Sequence, residues 1–195
     1  MLVDKTVTEL LEAFASPAPT PGGGSASALA GAISASLLAM VAAMPKTSHG
    51  TPEDRAALDA IHPQLLALKT EMVTLIDRDA ASYDEVVAAY RLPKATDAEK
   101  AARKAAIGKA MRLATDVPLE TARAAAKLVA HCRVVAEHGN PNAKSDAGVA
   151  ESMARTAFAG ASLNVETNLE GTGDPAFANQ ARAELAALRE KLGPA

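Results

Sequence analysis

Tryptophan is absent from the 195-residue sequence, which holds only two tyrosines and three phenylalanines. Sheet proteins place aromatic and β-branched residues at alternating positions, and no such alternation runs through this chain. Cysteine is almost absent as well. Cys132 alone cannot close an internal disulfide, and its setting in "LVAHCRVVAEHG" is that of a small buried residue in a reducing compartment. There is no cationic excess: 20 lysines and arginines face 23 acids, for a net charge of −3, and the two signs are interspersed. That leaves no basic footprint for nucleic acid. A basic leader followed by an apolar run is also missing. "MLVDKTVTELLEAFASPAP" carries Asp4 and polar residues at helical spacing, so a helix over 6–15 is expected there and not a signal peptide.

What the chain has in quantity is alanine, roughly a quarter of all residues, a composition suited to closely packed helices. The run 26–44 carries no charge and approaches the length of a membrane span. Alanine, serine and glycine supply little transfer free energy, however. Small residues at Gly24, Ala28, Gly31, Ala35 and Ala39 would let another helix approach closely, which predicts a helix buried in a bundle core or a subunit interface. A third helix is expected over 53–90, with Leu65, Leu68, Met72, Leu75, Ile76 and Val86 on one face and Pro63 splitting or kinking it. Thr96 and Glu99 read as a capping box that starts a fourth helix. Asp116 and Pro118 are expected to break or kink it, and a fifth would end at Gly139 in the left-handed end position. Ser145 caps a sixth helix over 146–169, and Asp174-Pro175 opens a short last one. The expectation is one all-α domain over 1–195, an antiparallel bundle of long helices.

Polar residues gather in three places. "PTPGGGS" puts Gly22, Gly23, Gly24 and Ser25 at a helix start, where backbone can approach a ligand closely and free N–H groups attract an anion. A nucleotide P-loop would need a lysine after the last glycine and a strand before the first, and both are lacking. A tight turn between packed helices remains the alternative. In "LIDRDAASYDEVVAAYRLPK", Asp79 and Tyr83 are four residues apart and share a helix face, so a carboxylate and a phenol can meet one ligand or form part of a solvated face. In "GNPNAKSDAGVA" and "NVETNLEGTGD", Asn142, Ser145 and Asp146 lie at a loop and helix start, and Asn164 lies in an apolar helix where a buried amide needs a partner. The four histidines lack metal-ligand spacing, so no metal is expected.

Taken together, "PTPGGGSASALAGAISASLLAMV", "DRDAASYDEVVAAYRLPKATDAEKAAR", "ATDVPL", "GNPNAKSDAGVA" and "NVETNLEGTGD" resemble, in order and over nearly the whole chain, the cyclodeaminase/cyclohydrolase family. That family comprises the C-terminal domain of formiminotransferase-cyclodeaminase and its stand-alone bacterial relatives. The resemblance implies a cytoplasmic, all-helical homodimer that binds folate in clefts near the subunit interface, without a metal or redox cofactor; the charge balance and the small-residue composition of 26–44 speak against nucleic-acid and membrane partners. The implied activity is hydrolysis of 5,10-methenyltetrahydrofolate to 10-formyltetrahydrofolate. The alternatives are formiminotetrahydrofolate cyclodeaminase, which releases ammonia, and a folate-binding homologue without turnover. The same resemblance makes Asp79 the first choice for general base or cation stabiliser and Asp146 the second. It gives Gly22, Gly23, Gly24 and Ser25 a folate carbonyl or carboxylate, makes Asn142 and Asn164 orienting amides, and adds Ser145 and Tyr83 to the binding set. Where relatives carry a lysine-rich stretch, this chain has "PKTSHGTPED", so that role falls to Lys46 or His49.

Overall fold

The computed structural model describes residues 1–46 and 50–193. Six α-helices account for most of it: α1 Val7–Ala15, α2 Gly23–Ala43, α3 Pro52–Tyr90, α4 Asp97–His138, α5 Lys144–Thr172 and α6 Pro175–Leu192. No strand occurs among the described residues, as the lack of alternation predicts. Three helices start with complete capping boxes, Thr6 with Glu9, Thr51 with Asp54 and Thr96 with Glu99, each satisfying two otherwise unpaired backbone donors. The Asp174 side chain caps α6 ahead of Pro175, and that helix runs 18 residues, longer than expected. Two expected termini differ. Gly139 ends α4 in an extended conformation, φ −71, and the left-handed glycine is Gly173 at the end of α5, φ 65. Ser145 does not cap: a 3-10 turn over Pro141–Ala143 leads directly into α5, so Ser145 lies inside its first turn.

Neither interior proline breaks its helix, against the split expected at Pro63 and the break expected at Pro118. A proline withholds the N–H that would bond the carbonyl four residues earlier. For Pro63 that carbonyl belongs to exposed Asp59, within reach of water. For Pro118 it belongs to Ala114, which is buried, and the Asn168 Nδ2 of α5 donates to it at 2.6 Å. One side-chain amide thus replaces the missing backbone donor, and α4 continues for 42 residues.

The core is built around α2, which packs between α3 and α5, with α4 closing the bundle. The small-residue face is the reason for the close fit: Ala28 and Ala35 are wholly buried, and Gly31 lies where a Cβ would overlap Met72 of α3. That face meets other helices of the same chain, so it is the bundle core of the two expected alternatives. The helix Gly23–Ala43 is long and apolar enough to cross a membrane, and 61% of its most apolar stretch is buried inside the protein. Leu65, Leu68, Met72, Leu75, Ile76 and Val86 are all buried, as the period of α3 predicts. Beyond the start of α2, α3 and α4 continue as a paired arm with a small core of Val86, Ala89, Ala110 and Ala114. The Gly22–Ser25 turn therefore sits where the four-helix core gives way to this arm.

Candidate active site

Gly22 precedes α2 without a side-chain cap, so the first N–H groups of the helix take any acceptor from elsewhere, and the Ser25 N–H finds one across the bundle. Asp79 of α3 supplies it. The Ser25 Oγ lies 3.0 Å from Asp79 Oδ2 and 2.9 Å from the Ile76 carbonyl oxygen. A hydroxyl has one hydrogen, so it donates to the carboxylate when Asp79 is ionised; when Asp79 is protonated, the acid donates to Ser25 and the hydroxyl turns to Ile76. Asp79 approaches so closely because position 24 has no side chain: a Cβ there would overlap the Asp79 carboxylate. Burial pushes the Asp79 carboxyl above its ordinary range, opposed by hydrogen bonds from the Ser25 hydroxyl and N–H. The result is a partly desolvated carboxyl with a raised affinity for protons, the property required of a proton-transferring group.

Two further groups border Asp79. The N–H groups of Gly23 and Gly24 have no acceptor among the described residues. Asn164 of α5 lies beside Gly23, its Nδ2 donating to the Gly160 carbonyl at 2.9 Å and leaving its carbonyl oxygen to accept. Ser82, one turn along α3, donates to the Asp79 backbone carbonyl at 2.8 Å. Tyr83, 42% exposed, is one turn further along the same face. Gly22, Gly23, Gly24, Ser25, Asp79, Tyr83 and Asn164 thus gather at one end of the bundle around an acid, two open donors and an amide oxygen.

The other named residues lie at the opposite end. Lys46 follows α2, whose 21 residues rise about 30 Å from the glycine turn. Its Nζ is 3.0 Å from Asp54 Oδ2, and Asp54 also takes the Thr51 N–H at 3.0 Å and lies 3.0 Å from His138 Nδ1. Those donors hold the Asp54 carboxyl well below the usual range. Asn140 ties this corner together, donating to the Pro45 carbonyl at 2.7 Å and accepting from the Asn142 N–H at 2.9 Å. A cleft of about 390 Å³ runs between Lys46 and the α4–α5 turn. Asn142 and Ser145 are exposed and Asp146 is half-buried, and none of the three lines that cleft. His49 lies outside the described residues.

Within one chain, then, Asp79 and Asp146 stand apart, and so do Asn164 and Asn142. Sequence reading passed over Asp54, which pairs with Lys46 and with His138; the Thr51-Pro52-Glu53-Asp54 box was the signal for it. Cys132 is buried with its thiol pushed up to about 12, so it is unreactive. Among the described residues no group of three or more histidine, cysteine or acidic side chains is placed to hold a metal.

A family model for formiminotransferase-cyclodeaminase matches residues 6–187. The chain is 40% identical over 193 residues to a methenyltetrahydrofolate cyclohydrolase of Methylorubrum extorquens, covering 99% of this chain and 93% of that one. It is 30% identical over 190 residues to the formimidoyltransferase-cyclodeaminase of Sus scrofa, spanning only 35% of that longer protein. The fold is shared with a formiminotetrahydrofolate cyclodeaminase from Thermotoga maritima, at a TM-score of 0.86 and 23% identity over 98% of this chain and 92% of that one. On the extent of the family match and the near-complete coverage of the Methylorubrum relative, the chain belongs to the formiminotransferase-cyclodeaminase family.

Proposed function

We propose that the protein hydrolyses 5,10-methenyltetrahydrofolate to 10-formyltetrahydrofolate, with Asp79 as the proton-transferring group. The observation that carries this reading is the Asp79 carboxyl, held over the α2 start by Ser25 with its proton affinity raised by burial. The methenyl carbon is cationic between two ring nitrogens. Water adds to it and gives a proton to Asp79; the tetrahedral carbon then expels one nitrogen, which takes up a proton as the new hydroxyl gives one up, and a formyl group remains on the other. The sum is one water consumed and one proton released, with no change of oxidation state, so the reaction needs no redox cofactor, and we propose that no metal takes part. An ionised Asp79 also offsets the substrate's positive charge. The open N–H groups of Gly23 and Gly24 and the Asn164 oxygen suit the amide and amine edges of a pterin, and Tyr83 borders it.

The 40% identical relative named as a cyclohydrolase supports hydrolysis. The relatives named as cyclodeaminases favour a second reading, ring closure of formiminotetrahydrofolate with loss of ammonia, through the same kind of tetrahedral carbon. We further propose a cytoplasmic homodimer, in which Lys46, Asn142, Ser145 and Asp146 of one subunit complete the site around Asp79 of the other.

Decay of methenyl absorbance with purified protein, run beside ammonia release from formiminotetrahydrofolate, tests both readings. Asp79→Asn should lower the rate of the true reaction about 100-fold or more with an unchanged fold. Acceleration of neither reaction overturns both readings.

A further inference from the structure

The corner where α2, α3 and α4 meet holds a carboxylate with more partners than its place in the sequence calls for. The acid at the third position of a capping box has one local task, to accept the N–H of the cap residue. Glu9 and Glu99 bind only groups of their own turn among the described residues. Asp54 does the same for the Thr51 N–H, at 3.0 Å, and then takes two more partners from other elements. Its Oδ2 lies 3.0 Å from the Lys46 Nζ, and its Oδ1 lies 3.0 Å from Nδ1 of His138, the last residue of α4. The Lys46 and Asp54 side chains are only 19% and 15% exposed, so this is not a solvated surface pair.

The other charged groups of the corner are engaged elsewhere. The Arg55 guanidinium donates to the Ala42 carbonyl at 2.8 Å and lies 2.7 Å from Asp59 Oδ1, and exposed Glu137 lies 3.8 Å from His138 Nε2. The Lys46 ammonium therefore meets a single carboxylate. Lys46 stands two residues beyond the cap of α2, in a stretch without helical structure, so no helix directs its long side chain. An untethered lysine samples many rotamers, and the bond to Asp54 removes that freedom. The side chain it fixes is the partition between two cavities: Lys46 lines a crevice of about 220 Å³ with Thr51, Asp54 and His138, and also the cleft of about 390 Å³ at the α4–α5 turn. An ammonium has three N–H groups. One goes to Asp54, and the other two have no acceptor among the described residues.

On the reading that Lys46 completes the site around Asp79 of a second subunit, we propose that Asp54 is a positioning residue, which holds the Lys46 ammonium at the cleft wall with two N–H groups open to a ligand while His138 fixes the carboxylate. A merely structural role predicts something else. Asp54 would then serve the start of α3 alone, and its loss would lower stability without reaching the chemistry.

The test compares the intact protein with Asp54→Asn, Lys46→Ala, their double variant and Thr51→Ala. Asparagine keeps an acceptor for the Thr51 N–H and loses the charge that holds the ammonium. Asp54→Asn should lower kcat/KM for methenyltetrahydrofolate about tenfold, divided between kcat and KM as in Lys46→Ala. The double variant should be no slower than Lys46→Ala, because both changes disable one device. Thr51→Ala weakens the same helix start and keeps the Lys46 pair, so it should melt lower with kcat/KM unchanged. Acetylation of Lys46 by acetic anhydride, read by mass spectrometry, should be several-fold faster in Asp54→Asn, since the amine is released from its partner. Wild-type activity in Asp54→Asn beside an impaired Lys46→Ala, additive losses in the double variant, or an equal loss in Thr51→Ala overturns the inference alone. Full activity of Lys46→Ala overturns it together with the place of Lys46 in the site. An unchanged acetylation rate overturns it even in a protein that turns over no folate; a faster rate in such a protein keeps Asp54 as the holder of Lys46 and sinks only the proposed activity.

Discussion

Gly24 and Asp79 are two halves of one device. The carboxylate occupies the space in which any other residue at 24 would put its Cβ. Gly24→Ala should therefore turn Asp79 away from Ser25. We expect kcat to fall at least tenfold, since a displaced proton-transferring group loses its alignment, and Tm to fall by about 3–10 °C from overpacking. Thermal melts and steady-state rates on one preparation check both. Asp79→Asn should separate these effects. A carboxyl whose folded-state proton affinity is raised contributes stability that is lost as pH rises through its raised value, so at neutral pH its charge works against the fold. The asparagine variant should melt no lower than wild type at neutral pH while losing activity. Spacing on a helix was enough to single out Asp79 and Tyr83, and the glycine run drew notice as an anion cradle. The sequence could not tell that the anion lying at that helix start belongs to the protein itself, because 55 residues separate Gly24 from Asp79.

At the scale of helices, the continuity of α4 rests on a single amide. Asn168→Ala would leave the buried Ala114 carbonyl without a donor, a loss of about 1–3 kcal/mol in urea unfolding. In a Pro118→Ala background the backbone N–H at 118 returns to that carbonyl, and most of the Asn168 effect should vanish. The coupling in this double-mutant cycle is the quantity to measure; additive losses would show that Asn168 acts elsewhere. The corner where α2, α3 and α4 meet behaves differently. Asp54 has a lowered proton affinity, from the Thr51 N–H first, then His138 and Lys46. Its contribution to stability is fully present above the ordinary aspartate range near pH 4 and is lost as pH falls below it. Asp54→Asn should flatten the acid limb of a Tm-against-pH curve below about pH 4 and leave the rest of its shape unchanged. Capping boxes and apolar periodicity made nearly every helix legible in the sequence. The exception at Pro118 has a tertiary origin: the donor that rescues the helix comes from α5, 50 residues downstream.

At the scale of the whole molecule, the two groups of polar residues lie about 30 Å apart along α2, too far to meet one pterin in a single chain. The outward face of α2 carries Ala26, Ile33 and Met40, and α5 beside it exposes Val149 and Leu163. Ile33 is the midpoint of Gly23–Ala43. A two-fold axis crossing α2 there would pair Ala26 with the partner's Met40 and bring the glycine turn of one subunit to the partner's Lys46. Ile33→Glu should then give a monomer by sedimentation. A complementation experiment is sharper, because it reads composition and not size. Asp79→Asn and Lys46→Ala subunits, each inactive alone, are unfolded together and refolded. If each site joins Asp79 of one subunit to Lys46 of the other, half the molecules are mixed dimers and each holds one intact site. About a quarter of wild-type activity should then return. If Asp79 and Lys46 act within the same chain, every site in a mixed dimer carries one defect and no activity returns. An active Lys46→Ala homodimer would instead remove Lys46 from the chemistry and leave Asp79 to act with the groups at its own end of the bundle.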